Sequence, residues 1–217
     1  MSKKGIIFDL DGTMWDASHS NAPAWNVELA RHKEIEKRIT VEDIQSYMGK
    51  TMEEIAPIAL PDMDIKKSLP IIKKCGKEEI KALREHGGIL YPKLEETLIK
   101  LKEKYHLYIV SNCEDGYVQA FLDYHKMNEH FEDIEMAGRT GKSKAENILL
   151  IMERNSLKEA IYVGDTDGDY NSAKTAGIPF VLAEYGFGKV EDAKYKISSF
   201  EKLIELVDGI FGQEFIK

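Results

Sequence analysis

The feature that most constrains the fold of this chain is an alternation of short, unbroken apolar runs with segments of helical period. Four runs are clear and two are weaker: 6–8, 107–110, 160–163 and 179–182, then 134–136 and 195–197. Strands that are apolar throughout are expected in a parallel sheet covered by helices on both faces. Strand–helix alternation from about residue 105 onward therefore predicts a doubly wound α/β fold.

Residues 17–88 interrupt this alternation, because they contain no strand-like run. Helix starts of the capping-box kind are indicated twice, by Thr40 with Asp43 and by Thr51 with Glu54. Breaks between short helices are indicated at Pro57, Pro61, Pro70 and Gly76. A direct strand–helix–strand crossover needs only about 30 residues. The excess predicts a helical cap domain at 17–88, inserted into an α/β domain of residues 1–16 and 89–217.

Composition limits the partners and the location of the protein. The chain carries 38 acidic and 30 basic residues, a net charge of −8. An acidic surface repels a phosphate backbone, so we expect no nucleic-acid partner. The apolar stretch after the basic N-terminus stops at Asp9, too early for a signal peptide, and no run approaches the roughly 20 residues of a membrane span. We expect a cytoplasmic protein without membrane contact, either a monomer or a weak homodimer.

Two acidic segments directly follow two of the clear apolar runs. Asp9 and Asp11 follow the first run, and Asp165 and Asp169 follow the run at 160–163. Ligands of open α/β sheets bind at the carboxyl ends of the strands, so adjacent parallel strands would bring these carboxylates together. Such a cluster is strongly destabilising without a cation. Because oxygen-only ligands favour magnesium, the pattern predicts a Mg²⁺ site.

Two further segments supply the other groups that phosphoryl transfer requires. The run at 107–110 is followed by Ser111 and Asn112, which place a hydroxyl and an amide at the same edge. Either Lys142 or Lys144 precedes a helix and can supply positive charge. A metal, a nucleophilic carboxylate, a hydroxyl donor and a lysine together are suited to phosphoryl transfer.

These four segments, in this order, resemble the haloacid dehalogenase superfamily of phosphatases along the whole chain. The matching motifs are 9–13, 111–112, the lysine at 142 or 144, and 164–165 with Asp169. The subgroup that the chain resembles contains phosphoglycolate phosphatase and β-phosphoglucomutase. The resemblance implies a Rossmann-like core with a helical cap between the first and second motifs, at residues 17–88.

The resemblance also implies a role for each motif residue. Asp9 would attack phosphorus and become an aspartyl phosphate, while Asp11 would protonate the leaving alcohol and then activate water. Magnesium would lie between the Asp9 carboxylate, the Asp11 backbone carbonyl and Asp165, with Asp169 in support. The phosphoryl oxygens would be held by three side chains, those of Ser111, Asn112 and the lysine.

The identity of that lysine is open, because the segment departs from the family pattern. Many relatives follow the lysine with a proline, which is absent from residues 141–146. Counting back from Asp165 favours Lys142, whereas Lys144 lies directly at the start of the helix. We favour Lys144 and keep Lys142 as the alternative.

Two residues outside the motifs are candidates for substrate contacts. Trp15 directly follows the first motif and could flank the substrate beneath the cap, with packing in the hinge as an equal alternative. Lys50 lies in a loop of the cap that resembles the substrate-facing loop of relatives, so it could contact a carboxylate or a second phosphate of the substrate.

The sequence thus predicts a magnesium-dependent phosphatase for a small phosphorylated metabolite, such as phosphoglycolate, a sugar phosphate or a nucleotide. Asp11 disfavours dehalogenation, because family members that cleave carbon–halogen bonds lack that carboxylate. The alternatives are a phosphosugar mutase or phosphotransferase with the same Asp9 intermediate, a non-enzymatic receiver-like module, and an inactive relative used for binding. A cap insertion argues against a receiver module, since a closing lid serves reaction chemistry.

Overall fold

The computed structural model describes residues 3–212, and its centre is a six-stranded sheet in which all neighbouring strands are parallel. Residues 1–2 and 213–217, the outer ends of the predicted α/β domain, lie outside the described residues. The strands are β1 Lys4–Phe8, β2 Trp15–Asp16, β3 Ile89–Leu90, β4 His106–Ser111, β5 Asp133–Met136, β6 Glu159–Gly164, β7 Phe180–Ala183 and β8 Tyr195–Ile197. The six-stranded sheet has the order β5-β4-β1-β6-β7-β8. The predicted fold class is confirmed, and each predicted apolar run corresponds to a strand of this sheet.

The helices of the described residues cover this sheet and one of its ends. They are α1 Ser18–Leu29, α2 Val41–Tyr47, α3 Met52–Ala59, α4 Ile65–His86, α5 Leu94–Lys102, α6 Tyr117–His125, α7 Ala137–Thr140, α8 Lys144–Arg154, α9 Asp167–Ala176 and α10 Leu203–Gly212. Short 3₁₀ helices occupy Asn128–His130 and Phe200–Lys202.

The central strand β1 is apolar throughout because both of its faces are buried. Successive side chains of a strand point to opposite faces. Ile6 and Phe8 pack into a cluster with residues of α5, α6 and α10, whereas Ile7 packs into a second cluster with residues of α8 and α9. The absence of polar alternation in the sequence therefore reflects helices on both sides of the sheet.

Helices α1 to α4 have an apolar cluster of their own, separate from the two clusters of the sheet. Its largest buried members include Trp25, Leu29 and Ile72. Both helix starts predicted there are confirmed, since Thr40 and Thr51 each form a complete capping box with the residue three positions later. This helical layer lies between β1 and β4 in the chain, and it positions side chains over the carboxyl end of β1.

The prediction that breaks at Pro57, Pro70 and Gly76 separate short helices is wrong, because Pro57 lies inside α3 and α4 runs unbroken through the other two for 22 residues. Pro70 lies in the second turn, where its missing N–H leaves a single carbonyl without its helical partner. A Cβ on Gly76 would lie 2.7 Å from Met52 Cε, so this glycine reflects close packing of α4 on α3. Although α4 is long, no helix within residues 3–212 combines the length and apolarity needed to cross a membrane.

A short antiparallel ladder that the sequence pattern did not indicate joins the two chain crossings between sheet and helical layer. Trp15 pairs with Leu90 and Asp16 pairs with Ile89, as strands β2 and β3. Each strand has only two residues, too few for a period to be recognised in the sequence. The ladder ties the chain entering α1 to the chain leaving α4.

The glycines of α7 and α10 provide a matched test of the packing that holds the loop after β4. A Cβ on Gly138 would lie 2.5 Å from Glu114 Cα and 2.7 Å from the Asp115 backbone nitrogen, whereas a Cβ on Gly209 meets nothing within 4 Å. We expect Gly138→Ala to lower the free energy of unfolding by about 1–3 kcal/mol, as overpacking does. Gly209→Ala should leave it unchanged or raise it by up to about 1 kcal/mol. Urea unfolding of both variants measures this, and equal stabilities would contradict the packing described.

Candidate active site

Strand order brings the acidic segments and the serine segment to one edge of the sheet. β1 is hydrogen-bonded in parallel to β4 on one side and to β6 on the other. Asp9 directly follows β1, Ser111 is the last residue of β4, and Asp165 directly follows β6. Because all three strands run the same way, these side chains meet where ligands of open α/β sheets bind.

Three of the predicted carboxylates form a buried cluster at this edge. Asp9, Asp165 and Asp169 each offer an oxygen atom, and these oxygens lie within 4.8 Å of one another. Their side chains are almost completely buried. Like charges at such distances in a low-dielectric interior repel strongly unless cations are present.

The cation that the described residues supply to this cluster is Lys144. Its Nζ lies 2.5 Å from Asp169 Oδ1 and 3.1 Å from Asp9 Oδ1, and the side chain is 3% exposed. Burial lowers the pKa of this ammonium, but the charges of Asp169 and Asp9 outweigh burial and raise the pKa above its ordinary value. Lys142, the other lysine left open by the sequence, is exposed, and its backbone N–H donates to Thr140.

Asp169 holds Lys144 in place because local donors fix one of its two carboxylate oxygens, Oδ2. It closes the capping box of α9 with Thr166, whose backbone N–H and hydroxyl donate to Oδ2 at 3.0 and 2.7 Å. The backbone N–H of Asp165 also donates to Oδ2, at 3.2 Å. Oδ1 is thereby directed to the ammonium of Lys144, so the start of α9 fixes the position of the charge.

Only one of the two carboxylate oxygens of Asp165 accepts hydrogen bonds. Its Oδ2 accepts from the backbone N–H of Phe187 at 2.7 Å and of Gly188 at 3.3 Å. Its Oδ1 is buried without a hydrogen-bond partner. Gly12 approaches so closely, at a φ of 77°, that a Cβ there would lie 2.2 Å from Asp165 Oδ2. Only glycine meets both requirements of this turn.

The donor set of this cluster fits a hard divalent cation. It consists of carboxylate oxygens, of which Asp165 Oδ1 has no hydrogen-bond partner. The three carboxylates carry more negative charge than the single buried ammonium can neutralise. Burial raises the pKa of Asp9 to about 6, and the neighbouring Asp169 adds to this, while Lys144 opposes it. Burial followed by Asp169 and Asp9 also raises the pKa of Asp165. A bound cation would relieve the repulsion that these shifts reflect.

Asp11 is oriented by a hydrogen-bond network that reaches the helical layer. Its Oδ1 accepts from Tyr117 Oη at 2.8 Å and from Trp15 Nε1 at 2.9 Å. Asn21 of α1 donates to Tyr117 Oη at 3.1 Å, so a side chain of the helical layer holds the tyrosine. Burial raises the pKa of Asp11 to about 7, although the Tyr117 hydrogen bond opposes the rise. Near neutral pH this carboxyl group can therefore exist in both protonation states.

Of the two alternatives that the sequence left open for Trp15, the structure places it in packed surroundings. Its side chain is fully buried, and its ring packs edge-on against Tyr117 and Phe121 with centroid separations of 5.9 and 5.0 Å. Its indole N–H donates to Asp11. The ring is retained beneath the site because the apolar core and the Asp11 carboxylate together satisfy both parts of this side chain.

Ser111, Asn112 and Lys50 lie around the mouth of the site. Ser111 is buried and lines a cavity together with Asp9. Asn112 donates from Nδ2 to the Gly49 carbonyl of the helical layer at 2.8 Å, while its Oδ1 is buried without a partner. Lys50 lines the same cavity, but its side chain is exposed and its Nζ donates to the Ser46 carbonyl.

Five residues that line or support the site were not identified from the sequence: Asn21, Trp25, Tyr47, Glu79 and Tyr117. Four of them belong to helices of the layer over the sheet edge, and none lies in a motif that the sequence shows. No short-range signal distinguishes a helical residue that faces a cavity from one that faces a core, so their placement depends on how the helical layer is docked.

Comparison with known proteins agrees with this geometry. A family model described as haloacid dehalogenase-like hydrolase matches residues 6–183. The phosphoglycolate phosphatase of Aquifex aeolicus is 26% identical over 223 residues, covering 94% of this chain and 96% of that protein. The phosphoglycolate phosphatase of Nitrosospira multiformis is 26% identical over 203 residues, covering 87% and 86%. The structure of a haloacid dehalogenase-like family hydrolase from Streptococcus pneumoniae superposes with a TM-score of 0.80, at 22% identity, over 94% of this chain and 98% of that one.

The aspartate cluster predicts that magnesium stabilises the folded protein. At a concentration of 100 times Kd, a ligand that binds the native state adds about 2.7 kcal/mol, which for a chain of this size raises Tm by roughly 5–10 °C. Asp165→Asn should remove this rise. The matched control is Asp167→Asn, since Asp167 is exposed two residues away. Thermal melts with and without Mg²⁺ measure the effect, and an equal rise in both variants would contradict binding at Asp165.

Proposed function

The chain belongs to the haloacid dehalogenase-like hydrolase family, and we propose that it is a magnesium-dependent phosphatase of a small phosphorylated metabolite. The observation that carries this proposal is the environment of Asp9. Its carboxylate is buried beside the ammonium of Lys144, and it lines a cavity that also contains Asp11 and Ser111. A nucleophile and a proton donor therefore face one space, and a positive charge lies directly beside the nucleophile.

In the first step a carboxylate oxygen of Asp9 attacks the phosphorus of the ester. A bond forms between this oxygen and phosphorus, and the bond between phosphorus and the ester oxygen breaks. Asp11 gives its proton to the departing oxygen, which leaves as an alcohol. The raised pKa of Asp11, about 7, supports this role because a protonated fraction is available near neutral pH.

In the second step water attacks the phosphorus of the aspartyl phosphate. Asp11, now ionised, accepts a proton from the water, and the bond between phosphorus and the Asp9 oxygen breaks. Inorganic phosphate leaves, Asp9 is regenerated as a carboxylate, and Asp11 is again protonated. Asp11 thus serves as acid and then as base, for which its hydrogen bonds from Trp15 and Tyr117 hold it in one orientation.

The remaining motif residues bind the phosphoryl group and the cation. Ser111, Asn112 and Lys144 are proposed to contact the phosphoryl oxygens, where the lysine neutralises charge that develops during transfer. Asp9, Asp165 and the Asp11 backbone carbonyl would hold Mg²⁺, with Asp169 anchoring Lys144 behind them. When bound, the ion supplies charge neutralisation and polarisation of the phosphoryl oxygens.

We further propose that residues 17–88 form a cap domain over an α/β domain of residues 1–16 and 89–217. Its support is the separate apolar cluster of α1 to α4. A cap of this kind excludes water from the nucleophile and commits the substrate. Lys50 remains a proposed substrate contact at the cap loop, and the cytoplasmic location and the monomer or weak homodimer state remain predictions.

Replacing Asp9 or Asp11 tests the chemistry. With Mg²⁺ and a panel of phosphorylated metabolites plus a generic aryl phosphate, Asp9→Asn should abolish phosphate release because the nucleophile is lost. Asp11→Asn should lower turnover by roughly 10²–10⁴-fold, the range for general acid–base catalysis. Thermal melts serve as the folding control. Activity retained by Asp9→Asn would end the proposal, and a requirement for a bisphosphate activator would indicate a mutase instead.

The lysine assignment has its own paired test. Lys144→Ala should reduce turnover by about 10²-fold or more, since a preorganised charge at the phosphoryl group is lost. It should also destabilise the fold, because Asp9 and Asp169 lose a buried partner. Lys142→Ala should change neither quantity, as its side chain is exposed. A large loss of turnover in Lys142→Ala would reverse the assignment.

A further inference from the structure

The small cavity between the sheet edge and the helical layer is lined by Asp9, Asp11 and Ser111 on one side, and the leaving group of a substrate must face the other side. Its volume is about 50 Å³. A dry cavity of about 150 Å³ accommodates benzene, so the space beside the phosphoryl group suits only a short leaving group. The helical layer contributes side chains that the mechanism does not use, among them Trp25, Tyr47, Glu79 and Lys50.

Glu79 of α4 is a buried carboxylate in this cavity without a cationic partner. Its side chain is 6% exposed, and its hydrogen bond within residues 3–212 comes from Trp25 Nε1 at 3.1 Å. Among the described residues no lysine, arginine or histidine forms an ion pair with it. A buried carboxylate that lacks a counter-ion is costly to maintain in a fold. Burial, followed by the charges of Asp11 and Glu114, raises its pKa to about 8.

Two aromatic rings line the same cavity as this carboxylate. Trp25 and Tyr47 are both buried, with ring centroids 5.9 Å apart and planes inclined by 31°, and the indole edge of Trp25 donates to Glu79. Aromatic rings attract cations through their quadrupole, and they do so most strongly where water is excluded. A carboxylate and two aromatic rings in one cavity are groups that recognise an ammonium group.

The remaining charges of the cavity are also predominantly negative. Glu114 lines it with Glu79, in addition to the two catalytic carboxylates. Lys50 is the lysine that lines it, and its exposed ammonium donates to the Ser46 carbonyl. An anionic leaving group would therefore find no buried cation among the described residues that line the cavity, whereas an ammonium group would stabilise the ionised form of Glu79.

We propose that this cavity binds a leaving alcohol that carries an ammonium group, with Glu79 as its counter-ion and Trp25 and Tyr47 as its aromatic walls. The substrate class is then the phosphate monoesters of short amino alcohols. This assignment rests on the phosphatase activity proposed above, because it concerns the alcohol that the same reaction releases.

Three phosphate esters of similar size differ in the charge of the leaving group and therefore test its effect. O-Phosphoethanolamine carries an ammonium, 2-hydroxyethyl phosphate is neutral at that position, and phosphoglycolate carries a carboxylate. With the full chain and Mg²⁺, kcat/KM for phosphoethanolamine should exceed that for 2-hydroxyethyl phosphate by about tenfold or more, as a buried charge partner contributes. Phosphoglycolate should be the poorest of the three.

The variant Glu79→Gln removes the charge and retains the shape and the acceptor for Trp25. We expect the ratio of kcat/KM for phosphoethanolamine to that for 2-hydroxyethyl phosphate to fall toward one, mainly through KM for the ammonium ester. Glu78→Gln is the matched control, since Glu78 pairs with Arg31 and Lys81 outside the cavity. This control should keep the wild-type ratio, and thermal melts confirm that both variants fold.

The outcomes separate this inference from the function on which it rests. A preference for phosphoglycolate over phosphoethanolamine, or an unchanged ratio in Glu79→Gln, overturns the ammonium assignment. Hydrolysis of a generic aryl phosphate without hydrolysis of phosphoethanolamine overturns it as well and leaves the phosphatase intact. If no ester, the aryl phosphate included, releases phosphate, the proposed function itself fails.

Discussion

The repulsion among carboxylates buried at one edge of a parallel sheet is the constraint on which the rest of this structure depends. Asp9, Asp165 and Asp169 present oxygens within 4.8 Å of one another, and the described residues place one ammonium, that of Lys144, among them. Local structure around the cluster serves to hold these charges. Gly12 turns the chain where a side chain would clash with Asp165, and the capping box of α9 fixes Asp169. Such an arrangement favours the binding of further positive charge.

The helical layer is coupled to this edge through Asp11. Asn21 of α1 holds Tyr117 of α6, and Tyr117 and Trp15 together hold the Asp11 carboxylate. The group proposed to move the proton is thus oriented partly from the helical layer and partly from the core. Asn112 adds a second link, from the sheet edge to the carbonyl of Gly49. A displacement of the helical layer would therefore change the surroundings of the acid as well as the access to the nucleophile.

Family membership and substrate choice have different structural origins in this chain. The family match rests on the sheet and its motif residues, and relatives named phosphoglycolate phosphatase are 26% identical. In the proposed complex the leaving group instead faces side chains of the helical layer, where Glu79 has no cationic partner among the described residues. A conserved reaction at the sheet edge is compatible with a different alcohol, since function depends on the residues of the site and not on the fold.

The sequence alone determined the sheet and the motif positions, because both depend on short-range patterns. Unbroken apolar runs required burial on both faces; Asp9 and Ser111 directly follow such runs, and Asp165 follows one after Gly164. Capping boxes at Thr40 and Thr51 likewise act over three residues.

Only the tertiary structure decided which lysine reaches Asp9, where Trp15 points, and which cap residues face the cavity. Lys142 and Lys144 differ by less than one helical turn in sequence, yet one is exposed and the other is buried between two carboxylates. Trp25 and Glu79 are 54 positions apart and meet through the docking of α1 on α4. Contacts of that kind arise from packing between elements, which no local periodicity encodes.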